Sequence, residues 1–167
     1  MGKLHKTPNA NRLHIAIFGK RNVGKSTLIN ALTNQELAIV SDHAGTTTDP
    51  VYKAMEIVPI GPVVLIDTAG IDDTGELGEL RIKKSMQVIN KTDIALIVID
   101  EDGITEFDKE IISLLEEKKT DFLIVINKKD KFTPSEELIS EMEKKSYNHI
   151  NISSIKKEGI KDLKDMI

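Results

Sequence analysis

A chain of 167 residues and 18.6 kDa has the size of one domain, which usually runs to about 100–150 residues. Hydrophobic residues make up 40% and charged residues 30%, which excludes a wholly disordered chain. A net charge of −4 supplies no basic footprint, and the absence of cysteine excludes disulfides, thiol catalysis and a cysteine-held iron–sulfur cluster on this chain. No apolar run reaches the ~20 residues of a membrane span. A cytoplasmic protein without a membrane or nucleic-acid partner is therefore expected.

Residues 1–11 read as a polar, flexible leader, and residues 12–167 as the folded domain. Leu13–Phe18 is apolar at nearly every position, as in a strand covered on both faces. Lys25–Leu32 has helical spacing. Val51–Val58 reads as an edge strand that turns through Ile60-Gly61-Pro62 into a second strand, Val63–Ile66. Leu80–Ile89 is a helix, and Ile94–Ile99 another buried strand. Phe107, Ile111, Leu114 and Leu115 share one face of a helix over Glu106–Lys119. Phe122–Ile126 is again a strand. Leu138, Ile139 and Met142 mark a helix after Thr133-Pro134, with Thr133 expected as its cap and Pro134 in its first turn. A last strand precedes Ile152, and Glu158–Ile167 reads as a final helix whose abrupt end suggests an excised domain.

Strand alternating with helix defines the α/β class. The expected architecture has three layers, α/β/α, around a six-stranded, mostly parallel sheet with one antiparallel edge strand. Ligands in such folds bind outside the carboxyl ends of the strands.

Chemistry concentrates at those ends. Gly19-Lys20-Arg21-Asn22-Val23-Gly24-Lys25-Ser26 is a full G-x-x-x-x-G-K-[ST] phosphate loop, placed directly between a strand and a helix. Its glycines let successive N–H groups of residues such as Asn22, Val23 and Gly24 turn toward phosphate oxygens. The following helix, opening with Lys25, Ser26 and Thr27, points its positive end at the same anion. Lys25 supplies an ammonium to the outer phosphates, and Ser26 a hydroxyl to Mg²⁺. Asn127-Lys128-Lys129-Asp130 ends a later strand. The carboxylate of Asp130 can accept from N1–H and the exocyclic amine of guanine, an arrangement that adenine lacks. Asn127 can tie this loop to the phosphate loop or to guanine N7, and the stem of Lys128 can lie along the base. Ser153, Ser154 and Ile155, within Ile152-Ser153-Ser154-Ile155, are expected to present backbone N–H groups to guanine O6.

Two further loops complete the pattern. Asp67-Thr68-Ala69-Gly70 places Asp67 to hold a water on Mg²⁺ and the Gly70 N–H to bond a γ-phosphate. Gly45-Thr46-Thr47-Thr48-Asp49-Pro50 offers a threonine for the Mg²⁺ shell when triphosphate is bound. Both are segments that a γ-phosphate could order and hydrolysis release.

Together these motifs resemble GTPases of the TrmE-Era-EngA group, and the likeness spans about residues 12–165. Within the group, Ala44–Lys53, Gly61–Gly70 and Asp72–Arg81 are similar to HydF, the GTPase of [FeFe]-hydrogenase maturation. That resemblance implies a Mg²⁺-dependent GTPase acting as a GTP/GDP switch, lacking here the family's dimerisation and cluster-binding domains. It implies hydrogenase-maturation proteins and [FeFe]-hydrogenase as partners of the full-length protein, and a nucleotide-dependent homodimer. It also assigns Thr47 to Mg²⁺, Asn22 to a K⁺ beside the phosphates, and Ser41–Gly45 to the rest of that K⁺ site. Thr48 stands where TrmE relatives have arginine, which favours HydF over the alternative, a TrmE- or Era-like GTPase of tRNA modification or ribosome assembly.

Ile71 follows Gly70 at the position where Ras-like enzymes hold a water-orienting glutamine, so slow hydrolysis aided by K⁺ is expected. Lys25, Thr47 and Gly70 form the catalytic set, with Glu79 (ahead of Glu76) as a carboxylate that could orient water through a second water. The reading favoured for both glutamates is a solvated residue at an acidic helix start, where the dipole suits a negative charge.

Overall fold

The computed structural model describes residues 11–33, 49–72 and 78–167. The expectations for Thr47, Thr48, Ser41–Gly45, Glu76 and the leader lie outside them, apart from Asn11 of the leader. In chain order the elements are β1 (Leu13–Phe18), α1 (Lys25–Thr33), β2 (Val51–Ile57), β3 (Gly61–Asp67), α2 (Ala69–Asp72) and α3 (Gly78–Ile89). Then follow β4 (Ile94–Ile99), α4 (Glu106–Glu117), β5 (Asp121–Ile126), α5 (Glu136–Lys144), β6 (His149–Asn151) and α6 (Ile160–Met166).

The strands form one six-stranded sheet in the order β2-β3-β1-β4-β5-β6. All neighbours run parallel except β2, which pairs antiparallel with β3 from Val51↔Asp67 to Ile57↔Gly61. Alternate strand residues pack on opposite faces, which explains why the strands read as continuous apolar runs. Ile15 and Ile17 meet Leu28 and Leu32 of α1 and Leu163 of α6. Ala16 and Phe18 belong to the opposite layer, with Val88 of α3, Ile111 and Leu115 of α4 and Met142 of α5. The edge strand β2 keeps one face toward solvent, exposing Tyr52, Ala54 and Glu56.

Three helix starts differ from the sequence reading, α3 beginning at Gly78, two residues ahead of Leu80. α5 begins at Glu136, capped by Ser135, whose side chain accepts from the Leu138 N–H at 3.1 Å. Thr133 does not cap it, and Pro134 precedes the cap instead of occupying the first turn. α6 begins at Ile160, not Glu158, because Glu158 is drawn into a two-way backbone pairing with Ser153 (3.0 and 3.1 Å). Gly159 then makes the turn at φ 78°, a conformation that favours glycine. The short helix α2 after β3 had no periodicity to announce it.

Helix α4 opens with a capping box. Thr105 accepts from the Asp108 N–H, and Asp108 Oδ2 accepts from both the N–H and the hydroxyl of Thr105 at 2.9 Å. Asp108 is almost fully buried, and its Oδ1 makes no hydrogen bond. Burial pushes this carboxyl up, against the Thr105 bonds and the charges of Lys25 and Lys20. A carboxyl raised on folding loses stabilising power as pH rises from the ordinary aspartate value through the folded one. Asp108→Asn does not titrate, so it should gain stability relative to the native chain between about pH 4 and about pH 7. Urea midpoints at both pH values check this; a difference that does not move with pH contradicts it.

Candidate functional site

The loop after β1 is shaped by two close approaches. At Gly19, φ is 152° and a Cβ would lie 2.5 Å from the Val98 carbonyl oxygen of β4. At Gly24, φ is 96° and a Cβ would overlap the side-chain amide of Asn127. Neither position tolerates a side chain, and this is the physical content of the two fixed glycines. Between them Asn22 adopts the left-handed conformation at φ 70°, which asparagine supports better than most residues. Val23 is anchored in the core, and Leu28 N–H donates to Gly24 O at 2.9 Å to begin α1. Lys25 is buried, with its ammonium inside the curl, donating to the carbonyl oxygens of Gly19 and of Lys20 (3.2 Å). Ser26 and Thr27 lie half-buried in the first turn of α1.

Asn127 joins this loop to the rest of the site. Its backbone N–H donates to Ile99 O at 2.8 Å, continuing the sheet beyond β5. Its Nδ2 donates to Val23 O at 2.9 Å, and its Oδ1 accepts from the backbone N–H and the hydroxyl of Ser154, both at 3.0 Å. Three loops, after β1, β5 and β6, therefore meet on one buried amide. Beside it, exposed Asp130 accepts from the Ser153 hydroxyl at 2.7 Å. That bond, outweighing slight desolvation, holds the Asp130 carboxyl below its usual range, with Lys131 and Lys156 adding in the same direction.

Of Ser153, Ser154 and Ile155, the first two have backbone N–H groups with partners inside the protein. Ser153 N–H donates to Glu158 O and Ser154 N–H to Asn127, so both serines brace the loop through backbone and hydroxyl alike. Of the three residues, Ile155, which is exposed, is left as the position able to offer an N–H to a base.

At the end of β3, Asp67 pairs with Ile17 of β1, next to the phosphate loop, and its Oδ1 accepts from the Ala69 N–H at 3.1 Å. Thr68 is fully buried and donates to Ile17 O at 2.6 Å, pinning the turn that leads to Gly70. Ile71 is also fully buried, packed in the same apolar layer as Phe18 and Ile66. Its side chain is a core residue of α2, which explains why the position is not polar. Glu79 stands exposed in the first turn of α3, where a negative charge complements the helix.

One group went unnoticed in the sequence. Asp100, directly after β4, is buried and lies 3.0 Å from the Lys128 ammonium and 3.9 Å from that of Lys20. Lys20 also contacts Asp102. Burial alone would raise the Asp100 carboxyl, but the Lys128 bond, the Asp102 N–H and the two lysine charges together bring it below the usual range. The available signal was its place: like Asp67 and Asn127, it is a polar residue ending an apolar strand.

The donors suit a hard cation. Ser26 offers a hydroxyl from the first turn of α1 and Asp67 a carboxylate from the end of β3, the oxygen chemistry that Mg²⁺ prefers. For K⁺, Asn22 supplies an exposed amide at the rim of the loop.

Residues 14–128 match the family model of the 50S ribosome-binding GTPases, and the chain belongs to that family. It is 38% identical over 162 residues to the tRNA modification GTPase MnmE of Alkaliphilus oremlandii, covering 93% of this chain and 33% of the relative. It is 43% identical over 120 residues to MnmE of Desulforamulus reducens, covering 71% of this chain and 25% of that protein. Among solved structures, a variant of Era from Aquifex aeolicus bound to GDP·AlF4⁻ superposes with a TM-score of 0.73 at 32% identity, covering 92% of this chain and 55% of that one. Era with MgGDPNP and a 16S ribosomal RNA segment gives 0.72 at 32% identity, covering 92% and 54%. The chain thus spans a third or less of these two MnmE proteins. It is a P-loop GTPase domain of the TrmE/Era type, and the expected HydF identity finds no support in these relatives. Their names also weigh against the expectation of no nucleic-acid partner. No described helix is long and apolar enough to cross a membrane.

Burying a glutamine amide at position 71 would leave polar groups without partners in an apolar layer. Ile71→Gln should therefore lose about 2–4 kcal/mol of stability by urea unfolding without faster GTP hydrolysis. A faster enzyme of native stability contradicts the placement of Ile71 in the core.

Proposed function

We propose that this chain is the GTP-binding and GTP-hydrolysing domain of an MnmE-type tRNA modification GTPase. The observation that carries the reading is the junction at Asn127, which sets a phosphate loop and a carboxylate suited to guanine on one rigid amide. The two MnmE relatives supply the tRNA-modification part. The hydrogenase-maturation reading rests on residues 44–53, 61–70 and 72–81, some of them outside the described residues, and the relatives lend it nothing. A net charge of −4 gives this domain little overall attraction for tRNA, so in this proposal contact with tRNA falls mainly to the remainder of a longer protein.

Phosphoryl transfer depends mainly on positioning and charge neutralisation. In this proposal Asp130 receives the two N–H groups of guanine, while Lys128 lies along the base. Asn127 holds that loop at a fixed distance from the phosphates. The N–H groups of the Gly19–Gly24 curl and the Lys25 ammonium face the β- and γ-phosphates, and the Gly70 N–H reaches the γ-phosphate. Ser26 and Asp67 would hold Mg²⁺, directly or through water, with Thr47 joining them. When bound, the ion offsets negative charge on the phosphate oxygens. Glu79 is retained as a residue that could orient water from the start of α3. K⁺ held by Asn22 is the proposed source of the charge that an arginine finger supplies elsewhere.

Calorimetry with Mg²⁺ should show GTP preferred over ATP by about 10⁴-fold, because adenine leaves the Asp130 acceptor unpaired. Asp130→Asn exchanges an acceptor for an amide donor and should shift the preference from GTP toward xanthosine triphosphate, whose 2-oxo group accepts. Equal affinity for GTP and ATP overturns the proposal. For K⁺, turnover at matched ionic strength should be faster in KCl than in NaCl, with the difference lost in Asn22→Ala. Equal rates in the two salts remove K⁺ from the scheme.

A further inference from the structure

We propose that Asp100 is a positioning residue that sets how long guanine nucleotide stays bound, by holding Lys128 against the base and Lys20 in the phosphate loop. The inference rests on the guanine-nucleotide reading of this site. Its basis is a buried ionic junction between loops far apart in sequence. The Asp100 side chain is only 5% exposed, at the end of a strand in which Ala95 through Ile99 are all buried and apolar. A lone carboxylate in such a place is costly, and it is retained in charged form by partners from two directions. Lys128, from the loop after β5, places its ammonium 3.0 Å from Asp100 Oδ2. Lys20, from the phosphate loop, is bonded to Asp102 and comes within 3.9 Å of Asp100 Oδ1, so Asp100 is its second, longer-range partner. Oδ1 also accepts from the Asp102 N–H at 3.1 Å, and Gly103 N–H donates to Asp100 O at 2.9 Å, so the carboxylate sits on a closed turn.

The consequence for Lys128 is specific. Its backbone is left-handed at φ 68°, and without a tether its four-carbon stem would be free to swing. With the ammonium fixed on Asp100, the stem spans from the base loop to the end of β4. The base then has a preset wall whose ordering entropy is met before the nucleotide arrives. Lys20 transmits the same constraint to the opposite side of the site. Val98 O, two residues before Asp100, lies so near Gly19 that a side chain there would collide with it, which places β4 beside the phosphate loop. Asp100 reads no atom of guanine itself. It acts through the two lysines.

The test is GDP release followed by stopped-flow fluorescence of a labelled GDP, with wild-type preference for GDP over ADP established first. Loss of that preference in the wild type would sink the guanine reading, and only with it intact does the experiment address Asp100. Asp100→Asn keeps the volume and the acceptor for Asp102 but removes the charge. It should speed GDP release about tenfold, the size of one charge-assisted hydrogen bond. In a Lys128→Met background the same substitution should add less than about threefold, because the residue it positions is gone. An equal acceleration in both backgrounds overturns the proposal, and so does unchanged release in Asp100→Asn. If Asp100→Asn does not fold, Lys20→Met and Lys128→Met are combined instead. Each alone leaves the carboxylate one lysine and the pair leaves only the Asp102 N–H, so their joint effect on release should exceed the product of the separate ones. A purely multiplicative result overturns the proposal.

Discussion

The site depends on a single side-chain amide. Asn127 donates to the phosphate loop at Val23 and accepts from the loop after β6 at Ser154, while its backbone extends the sheet at Ile99. An asparagine is suited to this place because it carries a donor and an acceptor at fixed separation on a short stem. Aspartate lacks the donor, and glutamine reaches further with another rotatable bond. Once the amide is seated, Gly24 must lack a Cβ, because the space a side chain would need is occupied by that amide. The glycine of the phosphate loop and the asparagine of the base loop are thus one constraint seen from two sides.

The parallel sheet supplies the frame in which such a junction can form. Strands β1, β3, β4, β5 and β6 all end on the same edge, so the polar residues that follow them face one another. The strands are covered on both sides by apolar layers and need no polar group within the sheet itself. Charge therefore collects at their ends. Lys25, Asp100 and Asn127 are all buried there, and each has polar partners, within the phosphate loop for Lys25 and from other loops for Asp100 and Asn127, which lowers the cost of their desolvation.

Much of this was legible in the chain. Apolar runs of four to eight residues marked the buried strands, and phosphate and base motifs could be placed because each directly follows one. Helix starts were less legible, since Thr133 and Ser135 both offer a capping hydroxyl and only the chain path chooses between them. Ile71 illustrates another limit: the sequence shows an isoleucine where others keep a polar residue, but only packing shows it pointing into the core. Asp100 belongs to no motif, and its partners lie in two loops remote from it in the chain. The serines after β6 were assigned to the base, whereas their N–H groups are used within the protein. The finer identity expected from the sequence, HydF, finds no support among the relatives for a different reason. Short segments resembling HydF were weighed above the domain-wide likeness that MnmE shows.

The account stands or falls on whether the phosphate and base loops act as one site through Asn127. The decisive measurement is the GTP affinity of Asn127→Ala, by calorimetry at a temperature where circular dichroism shows the variant folded. Loss of the amide's shared hydrogen bonds should weaken GTP about a hundredfold, near 2.7 kcal/mol. An affinity within about threefold of the native chain would mean that the loops hold their positions without it, contradicting the account.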